Sequence, residues 1–174
     1  RKVLTALTRC KVVARYGVGV DNVDLEAATD LGIIVTHVPD YCIEEVSNHA
    51  ITFLLMWGKQ MMAMDRTVRQ GSWAGGQPTS YEKVQSIHQQ TLGLLGVGRI
   101  GMATALKARA LSMEVLVYDP YADQKKLEAE GLVVTDMSRV LAESDYISVH
   151  TPLTPETRGF ISTDQLKAMK TTAF

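Results

Sequence analysis

Three glycines spaced for a phosphate-binding turn are the clearest chemical feature of this sequence. Residues 96–101 read Gly-Val-Gly-Arg-Ile-Gly, directly after an apolar run typical of a strand and directly before a helical pattern. In that context Gly96 permits a tight turn, Gly98 lets the backbone approach a pyrophosphate, and Gly101 lets the helix pack close to the strand. Free N–H groups of the first helical turn then face the anion. Residues 96–101 therefore predict a dinucleotide-binding loop.

Asp119 stands where a dinucleotide site needs a carboxylate, at the end of the next predicted strand. There it would accept hydrogen bonds from the 2′- and 3′-hydroxyls of the adenosine ribose, although it could also be a turn-forming residue before Pro120. A carboxylate about 4 Å from a 2′-phosphate would repel it by roughly 1–4 kcal/mol. Since residues 119–123 contain no Arg or Lys to receive that phosphate, the sequence favours NAD over NADP.

A second glycine-containing loop follows an earlier predicted strand. Residues 15–22 read Arg-Tyr-Gly-Val-Gly-Val-Asp-Asn. Ligands of open α/β sheets bind outside the carboxyl ends of the strands, and exposed backbone N–H groups there can cradle a carboxylate. The same glycines also suit an ordinary strand-to-helix turn, and the residues alone leave both interpretations open.

The bulk composition narrows the classes of partner. The chain has 174 residues, 46% of them apolar, and a formal net charge of −1, so its bulk charge favours neither a nucleic-acid nor a membrane partner. No apolar run is long enough to cross a bilayer. Cys10 and Cys42 have no metal-ligand spacing, and we interpret them as reduced thiols of a cytoplasmic protein. No set of His, Cys, Asp and Glu predicts a metal site.

The first elements predict a small parallel unit. Residues 11–16 are typical of a strand, residues 25–31 of a short helix with Asp24 as N-cap and Gly32 after its end, and residues 33–36 of a second, buried strand. Strand, helix and strand in this order form a βαβ unit, in which the two strands run parallel.

A long helix is expected over residues 43–69, with Gly71 at its end. Apolar residues in steps of three and four predict one continuous stripe along it: Val46, Ala50, Phe53, Leu54, Trp57, Met61, Met64 and Val68. The methionines of this helix suit core or interface packing. Residues 71–90 show no sustained period and are interpreted as a linker or arm, which Trp73 could anchor.

The remaining residues repeat strand and helix. Strands are predicted at 91–95, 114–118, 132–134 and 146–149, and helices at 100–111, 123–130 and 136–142. Ser162 and Gln165 have the spacing of a capping box that opens a last short helix. Residues 171–174 look like the beginning of another strand. The pattern predicts an α/β fold with a doubly wound parallel sheet.

Four stretches of the chain resemble the D-isomer-specific 2-hydroxyacid dehydrogenase family: residues 15–24, 91–101, 118–120 and 149–157. The resemblance implies a Rossmann NAD-binding domain over residues 91–174, part of a flavodoxin-like substrate domain over residues 1–40, and a linking helix and arm over residues 41–90. It also implies reversible hydride transfer between NAD and a small 2-hydroxy or 2-keto acid, in a protein that forms homodimers.

Individual positions take roles from the same resemblance. Val18 and Gly19 would offer N–H groups to the substrate carboxylate, Arg99 and Ile100 would offer theirs to the pyrophosphate, and Thr151 and Pro152 would flank the adenosine. The cofactor-binding set predicted from motif and resemblance together is Gly96, Gly98, Arg99, Ile100, Gly101, Asp119, Thr151 and Pro152.

The family's catalytic Arg, Glu and His have no counterpart among these residues, so the chain looks like the middle of a longer enzyme and no catalytic residue is assigned in it. Without them we expect no useful turnover. Glu45 and His49 could form an acid–base pair, but their spacing is also that of helical neighbours. His150 suits a wall of the adenine side better than a base. An NAD(H)-sensing binding module of the same fold, similar to corepressor relatives, stays open as the alternative function.

Overall fold

All strand pairs of the computed structural model are parallel, over the residues that it describes, 1–72 and 84–174. The chain divides into two units, residues 1–43 and residues 44–174. No helix among the described residues is both long and apolar enough to pass through a bilayer.

The first unit is the predicted βαβ arrangement. Its elements are α1 (Lys2–Ala6), β1 (Val12–Ala14), α2 (Leu25–Asp30) and β2 (Ile34–Thr36), and β1 pairs with β2. The Ala27 N–H donates to the Asp24 carboxylate at 2.8 Å, so the predicted N-cap is confirmed. Gly32 ends the helix at φ +64°, a left-handed conformation that glycine adopts without steric cost.

The expectation that β2 is buried was wrong. Ile34 and Thr36 are exposed and Val35 is only partly buried, whereas the residue before the strand, Ile33, is buried. The core of this unit consists of four small or aliphatic side chains: Leu4, Ala27, Ala28 and Ile33. The sheet of this unit has two strands, and α2 covers one of its faces, so alternate side chains of β2 point to the uncovered face.

The predicted long helix is two helices, which corrects the expectation of one continuous element. α3 spans Ile43–Gly58 and α4 spans Met61–Arg69, with Gln60 between them in a left-handed conformation at φ +52°. Gly58 is buried, and a Cβ built on it would lie 2.5 Å from the Tyr146 hydroxyl oxygen. The close packing of Gly58 against a distant part of the chain accompanies the break, and the local helical pattern gives no sign of it.

The apolar stripe is also not a single core face. The buried residues of α3 are Ser47, Leu54 and Gly58, whereas Phe53 and Trp57 are about half exposed, at 51% and 49%. On α4 no residue is buried. The predicted role of Trp73 and most of the predicted arm lie outside the described residues.

The second unit contains a four-stranded parallel sheet. Its further elements are β3 (Thr91–Leu95), α5 (Arg99–Ala110), β4 (Glu114–Tyr118), α6 (Gln124–Ala129), β5 (Val133–Val134), α7 (Met137–Glu143), β6 (Tyr146–Val149) and α8 (Thr163–Ala168). These agree with the predicted elements to within one or two residues. Helix α8 begins as expected, because the Ser162 N–H donates to Gln165 Oε1 at 3.1 Å.

The strand order β5-β4-β3-β6 fixes where a ligand can bind. From β3 the chain winds outward to β4 and β5, then crosses back to place β6 on the other side of β3. In open α/β sheets the crevice lies at this reversal, outside the carboxyl ends of the strands. The central strands β3 and β4 are buried on both faces, as in most parallel sheets; Leu92, Leu94 and Val117 are at most 1% exposed. This sheet confirms the doubly wound fold expected from the sequence.

The prediction of a strand at residues 171–174 is only partly confirmed. Residues 171–174 form no strand in the structure, but the Ile147 N–H donates to the Phe174 carbonyl at 2.8 Å and the Phe174 N–H donates to the Asp145 carbonyl at 3.0 Å. Phe174 therefore lies beside β6 with strand-like hydrogen bonds.

Candidate functional site

The turn after β3 is built around Gly96, at the carboxyl edge of the sheet. Gly96 has φ +93° and its N–H donates to the Tyr118 carbonyl at 2.9 Å, which ties the turn to the end of β4. A Cβ built on Gly96 would lie 3.0 Å from the backbone N of Thr151. Glycine is therefore required here by its conformation, as predicted, and also because the turn after β6 packs against it.

The other two glycines of the loop differ in what surrounds them. A Cβ on Gly101 would lie 2.5 Å from the Gly96 carbonyl oxygen, so the bare backbone at Gly101 lets α5 pack against the turn. A Cβ on Gly98 would meet nothing within 4 Å, and Gly98 is exposed. Gly98 is the N-cap of α5 and no side chain caps the helix there. The loop is thus closed at two glycines and open at the middle one, where the helix N-terminus faces outward.

Asp119 lies directly after β4 and its carboxylate is bound to the same loop. The Val97 N–H donates to Oδ2 at 2.9 Å, and the Tyr121 N–H donates to Oδ1 at 2.9 Å. Each carboxylate oxygen can accept a further hydrogen bond. The side chain is half-buried, which leaves it accessible from the crevice. The sequence indicated Asp119 and the glycines by their spacing, as parts of one dinucleotide site; the hydrogen bond between Asp119 and the Val97 N–H was not predicted.

The turn after β6 forms the third side of the crevice. The His150 N–H donates to the Leu95 carbonyl at 2.8 Å, which continues the β3–β6 ladder by one residue. The Thr157 hydroxyl donates to the Pro152 carbonyl at 2.6 Å and accepts from the Thr154 N–H at 2.8 Å. These hydrogen bonds stabilise the turn, and Thr151 lies against Gly96 of the glycine loop, residues 96–101. The turn thus presents the two residues predicted to flank an adenosine.

The surroundings of His150 are not those of a catalytic base. Its Nε2 lies 3.0 Å from the Ser148 Oγ on β6. Burial lowers the pKa of His150 below its ordinary value of 6.5 and so favours the neutral imidazole. The sequence places Ser148 and His150 on one face of an extended strand end but does not show that the two side chains turn toward each other.

The candidate substrate loop lies in the first unit. His37 Nδ1 is 2.8 Å from the Val18 carbonyl oxygen, and the Val38 N–H donates to the Gly17 carbonyl at 3.1 Å. These contacts join the loop to the residues that follow β2. Val18 and Gly19 are both exposed, and within residues 1–72 and 84–174 neither N–H has an acceptor. This arrangement suits both an anion cradle and a plain turn.

The remaining candidates form no second site. Glu45 and His49 are exposed, and the His49 ring contacts Phe53 edge-on, with 4.3 Å between the ring centres. Among the described residues, no three His, Cys, Asp or Glu side chains converge as metal ligands would. A groove of about 550 Å³ runs along α3 and α4 beside Phe53, Trp57 and Phe174, away from the glycine loop.

Comparison with known proteins agrees with this geometry. Residues 51–174 match the family model described as D-isomer specific 2-hydroxyacid dehydrogenase, NAD binding domain. The D-3-phosphoglycerate dehydrogenase of Archaeoglobus fulgidus is 37% identical over 97% of this chain, which corresponds to 31% of that protein. The glyoxylate reductase of Korarchaeum cryptofilum is 35% identical over 99% of this chain and 52% of its own length.

Solved structures with a similar fold are also D-2-hydroxyacid dehydrogenases. The crystal structure of D-lactate dehydrogenase from Aquifex aeolicus, complexed with NAD and lactic acid, superposes with a TM-score of 0.87 at 32% identity. The match covers 98% of this chain and 50% of that one. The chain therefore spans between about a third and a half of the length of these relatives.

Proposed function

Because the chain belongs to the D-isomer-specific 2-hydroxyacid dehydrogenase family, we propose that the whole protein transfers a hydride between NAD(H) and a small D-2-hydroxy or 2-keto acid. The residues described here bind and orient the two reactants, and none is assigned as an acid–base catalyst. When bound, NAD supplies the hydride acceptor of the oxidation and, as NADH, the donor of the reduction.

One observation carries the cofactor assignment. The glycine loop is open only at Gly98, the N-terminus of a 12-residue helix lies directly behind that opening, and Asp119 is fixed to the loop through the Val97 N–H. A helix N-terminus attracts a pyrophosphate through its N–H groups and its dipole. We assign Gly98, Arg99 and Ile100 to the pyrophosphate and Asp119 to the adenosine ribose, whose hydroxyls can reach its remaining lone pairs.

Contacts with the adenosine and with the substrate carboxylate are proposed from the loops that surround them. Thr151 and Pro152 flank the adenosine, since the turn after β6 packs against Gly96. In the first unit, the N–H groups of Val18 and Gly19 bind the substrate carboxylate; their exposure and their lack of acceptors among the described residues support this role.

The oligomeric state, the domain boundaries and the cellular location are also proposals. Exposed apolar side chains on α3 and α4, among them Phe53, Trp57 and Met62, support a homodimer. We assign residues 1–40 to the substrate domain, residues 91–174 to the NAD-binding domain and residues 41–90 to the link between them. The free thiols of Cys10 and Cys42 and the dehydrogenase relatives support a cytoplasmic enzyme.

The assignment of Asp119 is tested by calorimetric titration with NAD and NADP. We expect Asp119→Ala to weaken NAD binding by about 1–3 kcal/mol, the scale of lost charge-assisted hydrogen bonds, and to narrow the preference over NADP. Asp123→Ala is the matched control, since Asp123 caps the neighbouring helix α6 through the Lys126 N–H. An unchanged dissociation constant in Asp119→Ala would show that the ribose assignment is wrong.

The hydride-transfer reaction is tested on the full-length protein with NADH and a panel of 2-keto acids. We expect loss of the NADH absorbance with at least one of them. Tight NADH binding without oxidation by any 2-keto acid would contradict the enzymatic function and favour a sensor of NAD(H).

A further inference from the structure

The Cβ and carbonyl carbon of His150 lie against the glycine loop, residues 96–101. A Cβ built on Gly101, in the first turn of α5, would lie 3.4 Å from the His150 Cβ, and one built on Gly96 would lie 3.0 Å from the His150 carbonyl carbon. The side chain is half-buried, with Ser148 Oγ 3.0 Å from its Nε2. His150 therefore packs against the turn and against the first turn of α5, where we place the pyrophosphate.

The contact between His150 and Ser148 is compatible with both charge states of the ring. A serine hydroxyl can donate to a neutral imidazole nitrogen, and by rotating its hydrogen it can accept from a protonated one. Ser148 belongs to β6, whose backbone is fixed by the pairing of Ser148 with Leu94. His150 can thus gain a proton without losing its hydrogen bond or moving the turn.

Two features oppose that proton in the free protein. Burial disfavours the charged ring and lowers its pKa. The positive end of the α5 dipole also disfavours a positive charge, since Gly101, in the first turn of α5, lies next to His150. The charged side chains on the neighbouring segments are Arg99 on α5, Asp119 after β4, and Glu156 and Arg158 further along the same loop as His150. Lys107, also on α5, is paired with Glu44 at 2.8 Å.

A bound pyrophosphate reverses this balance, because its two negative charges exceed the roughly half unit of positive charge at a helix N-terminus. We propose that His150 takes up a proton when the dinucleotide binds, so that a half-buried imidazolium beside the loop adds to the attraction for the pyrophosphate. The inference depends on the proposed NAD site. It makes His150 a positioning residue for the anion rather than an acid–base catalyst.

The sign of the pH effect follows from linkage. If binding raises the pKa of His150, the affinity for NAD increases as the pH falls through the pKa of the complex, and the gain is complete below the pKa of the free protein. Each unit by which binding raises this pKa corresponds to about a tenfold gain in affinity. We expect NAD to bind about three- to tenfold more tightly at pH 5.5 than at pH 8.

Calorimetry of the full-length protein tests the proposal, with NAD titrated at pH 6.5 in buffers of different ionisation enthalpy. Wild-type protein should take up a fraction of a proton on binding. His150→Gln keeps a hydrogen-bonding group near Ser148 but cannot become charged, so its uptake should vanish. Its affinity should match wild type at pH 8 and fall about three- to tenfold below it at pH 5.5.

His88→Gln is the matched control, since His88 is exposed and precedes β3, at the opposite edge of the sheet; it should behave as wild type. Proton magnetic resonance of the imidazole signals should show the His150 pKa rising when NAD is added. Normal NAD binding with unchanged uptake in His150→Gln, or a His150 pKa that stays constant or falls, would overturn this inference alone. Absence of NAD binding in wild-type protein would overturn it together with the proposed function.

Discussion

Gly98 and Gly101 belong to one motif, yet the structure predicts opposite consequences for replacing them. Gly98→Ala adds a methyl group where nothing lies within 4 Å, at φ −59°, so stability should change by less than about 0.5 kcal/mol. NAD binding should weaken by about tenfold or more, because the methyl group faces the pyrophosphate position. Thermal unfolding and NAD titration measure the two effects separately.

Gly101→Ala supplies the contrast. Its Cβ would lie 2.5 Å from the Gly96 carbonyl oxygen, which is backbone and cannot rotate away. We expect a loss of about 1–3 kcal/mol in the free energy of unfolding, the usual cost of overpacking. If Gly101→Ala were as stable as Gly98→Ala, the close approach of α5 to the turn would be wrong.

At the same scale, the sequence predicted side chains and glycines but not the bonds between them. Gly96, Gly101 and Asp119 were predicted from their spacing, and the structure brings all three to one edge of the sheet. The Val97 N–H that holds Asp119 belongs to a residue that no motif distinguishes. The Ser148–His150 contact depends on the direction in which a half-buried side chain turns, which spacing alone does not determine.

Among the elements, the boundary between α3 and α4 offers a stability test at Gln60. A left-handed conformation costs an ordinary residue roughly 1–2 kcal/mol and a β-branched residue more. We expect Gln60→Val to lower the free energy of unfolding by about 1–2 kcal/mol. In Gln60→Gly the relief of strain offsets loss of the hydrogen bond from Gln60 Nε2 to the Trp57 carbonyl, 2.8 Å long, so its stability should stay near wild type.

Urea denaturation of the two Gln60 variants distinguishes a real break from one continuous helix. In a continuous helix glycine would be the more harmful replacement, since it costs about 1 kcal/mol relative to alanine in a helix interior. Gln60→Gly less stable than Gln60→Val would therefore contradict the observed boundary.

The N-cap of α2 gives a pH-dependent prediction. The Ala27 N–H holds the pKa of Asp24 below its ordinary value of 3.8. Since the folded state then favours the ionised carboxyl, its contribution to stability is present above pH 3.8 and is lost as the pH falls through the lowered pKa. Amide exchange in residues 25–30 should show α2 loosening over that range.

Asp24→Asn is the matched variant, because asparagine caps helices about as well as aspartate but does not titrate. Protection of α2 in Asp24→Asn should therefore vary less with pH below 3.8 than in wild type. Equal pH dependence in both proteins would exclude the Asp24 carboxylate as its source.

The elements after residue 90 were predicted to within one or two residues, for a physical reason. Strands such as β3 and β4 are buried on both faces, so their apolar runs are continuous and their ends coincide with glycine or aspartate. The break at Gln60 could not be predicted, because it accompanies contacts of Gly58 with Ile87 and Tyr146, which lie far away in sequence. Local periodicity carries no information about such contacts.

For the whole molecule, the exposed apolar side chains of α3 and α4 make dimerisation testable. Phe53, Trp57 and Met62 are 51%, 49% and 60% exposed, a larger apolar surface than isolated exposed residues provide. We expect the double variant Phe53→Glu, Met62→Glu to sediment as a monomer under conditions in which the wild-type protein sediments as a dimer.

Leu106→Glu is the control for this experiment, because Leu106 is a similarly exposed apolar residue, at 42%, on the separate helix α5. It should leave the sedimentation coefficient unchanged. Dimers that persist in the double variant, or that Leu106→Glu disrupts, would show that α3 and α4 are not the contact surface.

The parallel direction of β3, β4, β5 and β6 places the groups of the second unit that we assign to NAD at the carboxyl edge of this sheet and leaves its amino edge free of them. Ser112, in the exposed turn between α5 and β4, is a position at this edge where a label can be attached. A dye or an immobilising tether attached at Ser112 should leave coenzyme capture intact. The second unit could thus be attached to an electrode or a bead through the amino edge of its sheet, so that the carboxyl edge, where we place NAD, stays open to solution.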